Sequence, residues 1–100
     1  MARNYHDTCK ELIEPALEAK GWEWKAEFLI PAVGPNDPDS RSDYLLRYRG
    51  IPLCTLEVKA QNRPAADGMQ RGSFHASKLQ IRFSLASNGK DWILTDNDTG

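Results

Sequence analysis

Two strand-like segments, residues 43–48 and 53–60, flank Arg49-Gly50-Ile51, and their pairing constrains the fold more than any other part of the chain. Strand side chains alternate between faces, so Glu57 and Lys59 of Glu57-Val58-Lys59 point the same way. A three-residue connection in which Gly50 takes a positive φ sets Tyr48 opposite Pro52, and the same register sets Asp43 opposite Glu57. One face then carries Asp43, Leu45, Arg47, Leu53, Thr55, Glu57 and Lys59. The other carries Tyr44, Leu46, Tyr48, Cys54, Leu56 and Val58, an apolar surface that calls for a covering helix. A two-residue loop would shift the pairing by one and separate the acids, unless a bulge restored them.

Facing carboxylates repel each other and destabilise a sheet unless something positive lies between them. A divalent cation fits that description. Mg²⁺ takes oxygen ligands, one or two carboxylates among them, and keeps several waters. Asp43 and Glu57 are therefore the expected carboxylate ligands, with the Val58 main-chain carbonyl as a third, and Mn²⁺ as a substitute ion. Such an ion would acidify water and offset charge building on a phosphodiester. Lys59 would orient or help deprotonate that water and screen the phosphate. The residues alone also admit a plainer reading, a solvated hairpin with surface charges, because a Glu-any-Lys triplet is common.

Charge distribution bears on this choice. Residues 1–40 carry 4 basic and 8 acidic side chains, whereas residues 41–90 carry 9 basic and 3 acidic ones. The basic half holds the paired acids, as a phosphate-binding face would. The chain is otherwise ordinary for one globular domain spanning 1–100, with 40% hydrophobic and 27% charged residues. No apolar run approaches a membrane span, and residues 1–10 are too polar for a signal peptide. Cys9 and Cys54, with His6 and His75, offer no zinc-ligand spacing, and two cysteines suit a reducing, cytoplasmic setting.

Around the hairpin, Thr8-Cys9-Lys10-Glu11 reads as a capping box opening a helix from about Thr8 to Lys20, with Pro15 inside it. Trp24 to Val33 alternates like a strand, and residues 34–40 read as a turn-forming loop. Ala65 to Leu79 is a second helix, weakened by Gly68 and Gly72. It sets Gln70 and Phe74 on one face, Gln70 toward a phosphate, a base edge or the lysine, and Phe74 toward the core. Arg71 and Lys78 read as phosphate contacts or solvated charges, and His75 as a surface side chain or one that supports a ligand without being one. Ile81 to Ala86 and Asp91 to Thr95 complete a predicted α/β order, α-β-β-β-α-β-β, as one mixed β-sheet with a helix on each face. Asp96 to Gly100 reads as a turn, an abrupt end expected of a fragment.

Leu12-Ile13-Glu14-Pro15-Ala16-Leu17, Gly21-Trp22, Asp43-Tyr44-Leu45-Leu46, Leu56-Glu57-Val58-Lys59-Ala60 and Ser87-Asn88-Gly89 follow one another in order. This series resembles the N-terminal nuclease domain of the restriction (motor) subunit of type I restriction–modification enzymes, in the PD-(D/E)XK nuclease superfamily. The resemblance covers nearly the whole chain and implies a restriction-endonuclease-like fold and Mg²⁺-dependent endonucleolytic cleavage of double-stranded DNA. It implies that Asp43 and Glu57 are metal-binding acids, Lys59 the catalytic lysine, and Gln70 and Phe74 a Gln-x-x-x-Tyr element lacking the hydroxyl. Tyr5 and Cys9 stand where an acid and an arginine are often found, Glu11 or Glu14 being other acids near enough to consider, and Ser42 replaces the proline of the superfamily name. The resemblance further implies methylation and specificity subunits as partners, and ATP used only by motor domains absent from these 100 residues. The altered Tyr5, Cys9 and Phe74 positions leave open a DNA-binding or assembly module with little catalysis.

Overall fold

The computed structural model describes residues 3–30 and 40–99. The first helix, α1, runs through α-helical Tyr5–Thr8, a π-helical turn Cys9–Ile13 and α-helical Glu14–Ala19. It starts three residues before the expected point. Asn4 is the N-cap, its side chain accepting from the Asp7 N–H at 2.8 Å. Thr8 lies buried within the helix, its hydroxyl donating to the Asn4 carbonyl and accepting from the Gln61 N–H. Pro15 is accommodated because the wide π turn precedes it, with the Glu14 N–H reaching the Cys9 carbonyl.

Five strands follow: β1 Glu23–Ile30, β2 Ser40–Tyr48, β3 Ile51–Val58, β4 Phe83–Ser87 and β5 Trp92–Asp96. They form one sheet in the order β1-β2-β3-β4-β5, antiparallel except for the parallel β3–β4 pair. Parallel neighbours need a crossover, supplied by 3₁₀ turn Ala65–Gly68 and helix α2, Met69–Leu79. The expected mixed sheet flanked by helices is the observed one. The first strand ends at Ile30, and the expected 31–33 extension and 34–39 loop fall outside the described residues.

Cys9, Ile13 and Leu17 of α1 bury against Tyr44, Leu46, Cys54, Leu56 and Val58, the hairpin face that alternation marked as apolar. α2 packs on the other face. Its glycines explain how closely: a Cβ on Gly68 would lie 3.2 Å from Glu57 Cβ, and one on Gly72 3.5 Å from Glu57 Cγ. The helix gives up intrinsic propensity for proximity to β3.

The hairpin tip departs from the expected three-residue loop. Arg49 and Gly50 both have left-handed φ, 52° and 78°, and form a two-residue turn with Tyr48 opposite Ile51 and Arg47 opposite Pro52. The register then shifts at Leu46/Arg47, leaving Leu53 as an extra residue before Leu46 pairs with Cys54. Leu53 consequently joins Trp22, Phe83 and Leu85 around an apolar pocket, against the side that strict alternation assigned it. Beyond the bulge the pairing is the expected one, Leu45 with Thr55 and Tyr44 with Leu56.

α1 is also fixed by the β4–β5 turn. Gly89 has φ +84°, and a Cβ there would stand 2.6 Å from Leu12 Cδ1 and 2.9 Å from Leu12 Cβ. Gly89→Ala therefore meets both left-handed strain and overlap with α1. It should cost about 1–3 kcal/mol, read as a lower urea midpoint with an unchanged denaturant slope.

Candidate active site

The ladder between β2 and β3 records its last pair at Tyr44 and Leu56. One step further, side chains take the place of ladder bonds. The Val58 N–H donates to Asp43 Oδ2 at 2.8 Å, and the Asp43 N–H donates to Glu57 Oε2 at 3.3 Å. Each acid thus accepts from the strand of the other. β1 is irregular at the same level, where Glu27, between the Ala26–Tyr44 and Phe28–Ser42 pairs, has φ 51°. Asp43 and Glu57 come together with Val58, Lys59, Tyr5, Arg63 and Arg71 around a cleft of about 280 Å³.

Glu57 is only 2% exposed. Its Oε2 faces Ser42 Oγ at 3.0 Å, the Asp43 N–H, and His75 Nδ1 at 3.3 Å. Ser42 has a single hydroxyl proton to divide between that oxygen and the Tyr44 carbonyl at 2.8 Å. Glu57 Oε1 meets the Arg71 guanidinium, with Nε at 3.4 Å. Burial, and secondarily the charge of Asp43, raises the Glu57 carboxyl to about 7. Burial and then Arg71 lower the His75 pKa, so a neutral imidazole faces the acid. Burial, then Asp43, pushes the Tyr5 phenol far up, so this cleft-lining group stays neutral.

Lys59 projects into the cleft while the neighbouring Val58 lies in the α1 core, as strand alternation requires. Its N–H extends β3 by donating to the Ser87 carbonyl at 2.9 Å. The ammonium makes no hydrogen bond or ion pair among the described residues. Asn88, 4% exposed, donates to the Arg63 carbonyl at 2.7 Å and ties down the segment after Lys59.

α2 turns a different pair toward the acids from the pair singled out in the sequence. Gln70 is exposed and does not line the cleft, and Phe74 is 51% exposed instead of core. Arg71 and His75, one residue on and also spaced i, i+4, are the side chains that reach Glu57. The sequence did hold a signal for this: Gly68 and Gly72 mark the stripe of α2 that meets β3, and Arg71 and His75 flank it. Ser42, which stands where the superfamily name has proline, is fully buried against Glu57. Of the acids in α1, Glu11 pairs with Arg3, and Glu14 accepts from the Tyr44 hydroxyl at 2.6 Å; neither lines the cleft. Cys9 is buried in the core.

No group of three His, Cys, Asp or Glu side chains among the described residues is arranged to hold a metal. The available donors are two carboxylates and main-chain oxygen in a cleft otherwise lined by basic and neutral groups. That set suits a hard cation retaining water, as Mg²⁺ does, and does not suit zinc.

No protein-family model matches the chain. Over 56 residues, 55% of this chain, it is 38% identical to the type I restriction enzyme EcoAI endonuclease subunit of Escherichia coli, and the match spans 7% of that relative. A solved fragment assigned as an HsdR subunit of a type I restriction enzyme from Vibrio vulnificus YJ016 superimposes with a TM-score of 0.86 at 30% identity. That match covers 100% of this chain and 22% of the solved one. Sequence and fold together therefore show the likeness to a restriction subunit. No helix among the described residues is long and apolar enough to cross a membrane.

The raised Glu57 pKa has a consequence for stability. Its folded value, about 7, lies above the ordinary 4.5, so the folded state binds more protons between those values. Stability from this group is full below 4.5 and is lost as pH rises through 7, on the order of 3 kcal/mol in all. His75 acts oppositely as pH falls through its ordinary 6.5. Urea unfolding from pH 5 to 8 should therefore show wild type losing stability relative to Glu57→Gln. Parallel curves for the two proteins would refute the assignment.

Proposed function

We propose that this chain, similar in sequence and fold to the restriction subunits of type I restriction enzymes, is a Mg²⁺-dependent endonuclease domain that hydrolyses phosphodiester bonds of double-stranded DNA. The observation that carries this reading is the convergence of Asp43, Glu57 and Lys59, whose ammonium has no partner among the described residues, on one cleft. Asp43, Glu57 and the Val58 carbonyl would hold the cation, which when bound supplies Lewis-acid stabilisation of charge building on the phosphate. The donor set described above fits that ion.

Lys59 orients the attacking water and screens the phosphate as a compact point charge. Asp43 and Glu57 keep fixed positions because main-chain N–H groups hold one oxygen of each. His75 and Ser42 fix Glu57 from behind, and are positioning residues in this scheme. Arg63, at the same cleft, gives a cationic contact for DNA backbone. The full subunit is proposed to act with methylation and specificity subunits, and to use ATP in parts of the polypeptide outside these residues.

Supercoiled plasmid incubated with Mg²⁺ tests the reading. Wild type should nick it, chelation should stop nicking, and Lys59→Ala or Asp43→Asn should slow it by about 10²–10⁴-fold. Equal nicking by wild type and Lys59→Ala, or none by either, counts against catalysis. Duplex binding that is steeply salt-dependent but indifferent to cation would instead favour a DNA-binding or assembly module.

A further inference from the structure

Arg71 is the one arginine or lysine paired with either cleft acid among the described residues, its Nε lying 3.4 Å from Glu57 Oε1; the other partner of Glu57, His75, has a lowered pKa and faces Oε2. The two oxygens of Glu57 differ sharply in their surroundings. Oε2 is turned inward and faces three groups: Ser42 Oγ, the Asp43 N–H and His75 Nδ1. Oε1 has the guanidinium and no other recorded partner. A carboxylate this buried is costly without a countercharge, and Arg71 supplies it.

The tether is nevertheless loose. The Arg71 side chain is 60% exposed, and its other recorded contact, Nη2 to the Arg41 carbonyl, is also 3.4 Å. The other cations of the cleft do not fill this role. Arg63 pairs with Asp67 at 3.3 Å, and Lys59 has no acid partner among the described residues. A long side chain with a solvated head can leave a weak contact at little cost.

Resting on the metal reading above, we propose that Arg71 is a placeholder cation. In the metal-free protein its guanidinium occupies Glu57 Oε1; it yields that oxygen to an entering divalent cation and is released to bind the phosphate backbone of DNA. His75, Ser42 and the Asp43 N–H hold Oε2 throughout, so Glu57 keeps its conformation while Oε1 changes partner. Cation and duplex binding are thereby coupled through one side chain, and linkage makes the coupling reciprocal.

Calorimetric titration of the 100-residue chain with Ca²⁺ at pH 8, where Glu57 is ionised, is the test, with Arg71→Met as the variant. Arg71 is exposed, and a thermal melt verifies that the variant is folded. Loss of the competing charge should tighten Ca²⁺ binding by about three- to tenfold, or reveal binding absent from wild type. The gain in affinity for a short duplex on adding saturating Ca²⁺ should be smaller in Arg71→Met than in wild type. Unchanged or weaker Ca²⁺ binding by the variant overturns the placeholder role and leaves the metal site standing. Tighter Ca²⁺ binding with an undiminished duplex gain, or with no duplex gain in either protein, overturns the release to phosphate. No Ca²⁺ binding by either protein overturns the metal reading itself.

Discussion

Where β2 and β3 part, two carboxylates accept main-chain N–H groups, each from the opposite strand. This exchange underlies the rest of the site. The Val58 and Asp43 N–H groups gain charged acceptors, and the carboxylates gain fixed donors. Charge-assisted hydrogen bonds of this kind are about twice as strong as neutral ones. They do not neutralise the repulsion between the acids, which adds to the larger effect of burial in raising the Glu57 pKa. A proton and the Arg71 guanidinium are two ways of relieving the same strain, and the proposed metal ion would be a third.

The second layer of the site is built by close approach. α2 comes near β3 because Gly68 and Gly72 present no side chains to Glu57. Thr55 then donates to the Gly72 carbonyl at 3.1 Å, and His75 reaches the Glu57 carboxylate from a position only 1% exposed. Phe74 lies tilted against His75 with ring centroids 5.9 Å apart. Residues that look like weaknesses of a helix are therefore what let it serve as the floor of a polar site.

Much of this was legible in the sequence for one reason: strands alternate. That single rule placed Tyr44, Leu46, Leu56 and Val58 in a core and Glu57 with Lys59 at a cleft, and the mixed sheet followed from the order of elements. Details governed by backbone conformation were less visible. Nothing in Arg49 announces a left-handed residue, so the two-residue turn and its compensating bulge were not separable from a three-residue loop. Asn4 outcompeted Thr8 as the cap because the π turn lets the helix begin earlier and still pass Pro15. Gln70 and Phe74 were singled out by their i, i+4 spacing and by the resemblance; one step along a helix turns a side chain by about 100°, and it is Arg71 and His75 that meet Glu57.

The bulge at Leu53 has a consequence for how this hairpin can vary. Its tip and its base obey different registers, and the change occurs three residues before the ladder gives way to the acids. Removing Leu53 would convert the irregular stretch into a plain ladder and still leave Leu46 across from Cys54. The tip is thus mechanically insulated from the cleft: slack in the connection is taken up near the turn, and chain length there can drift without reaching Asp43 or Glu57.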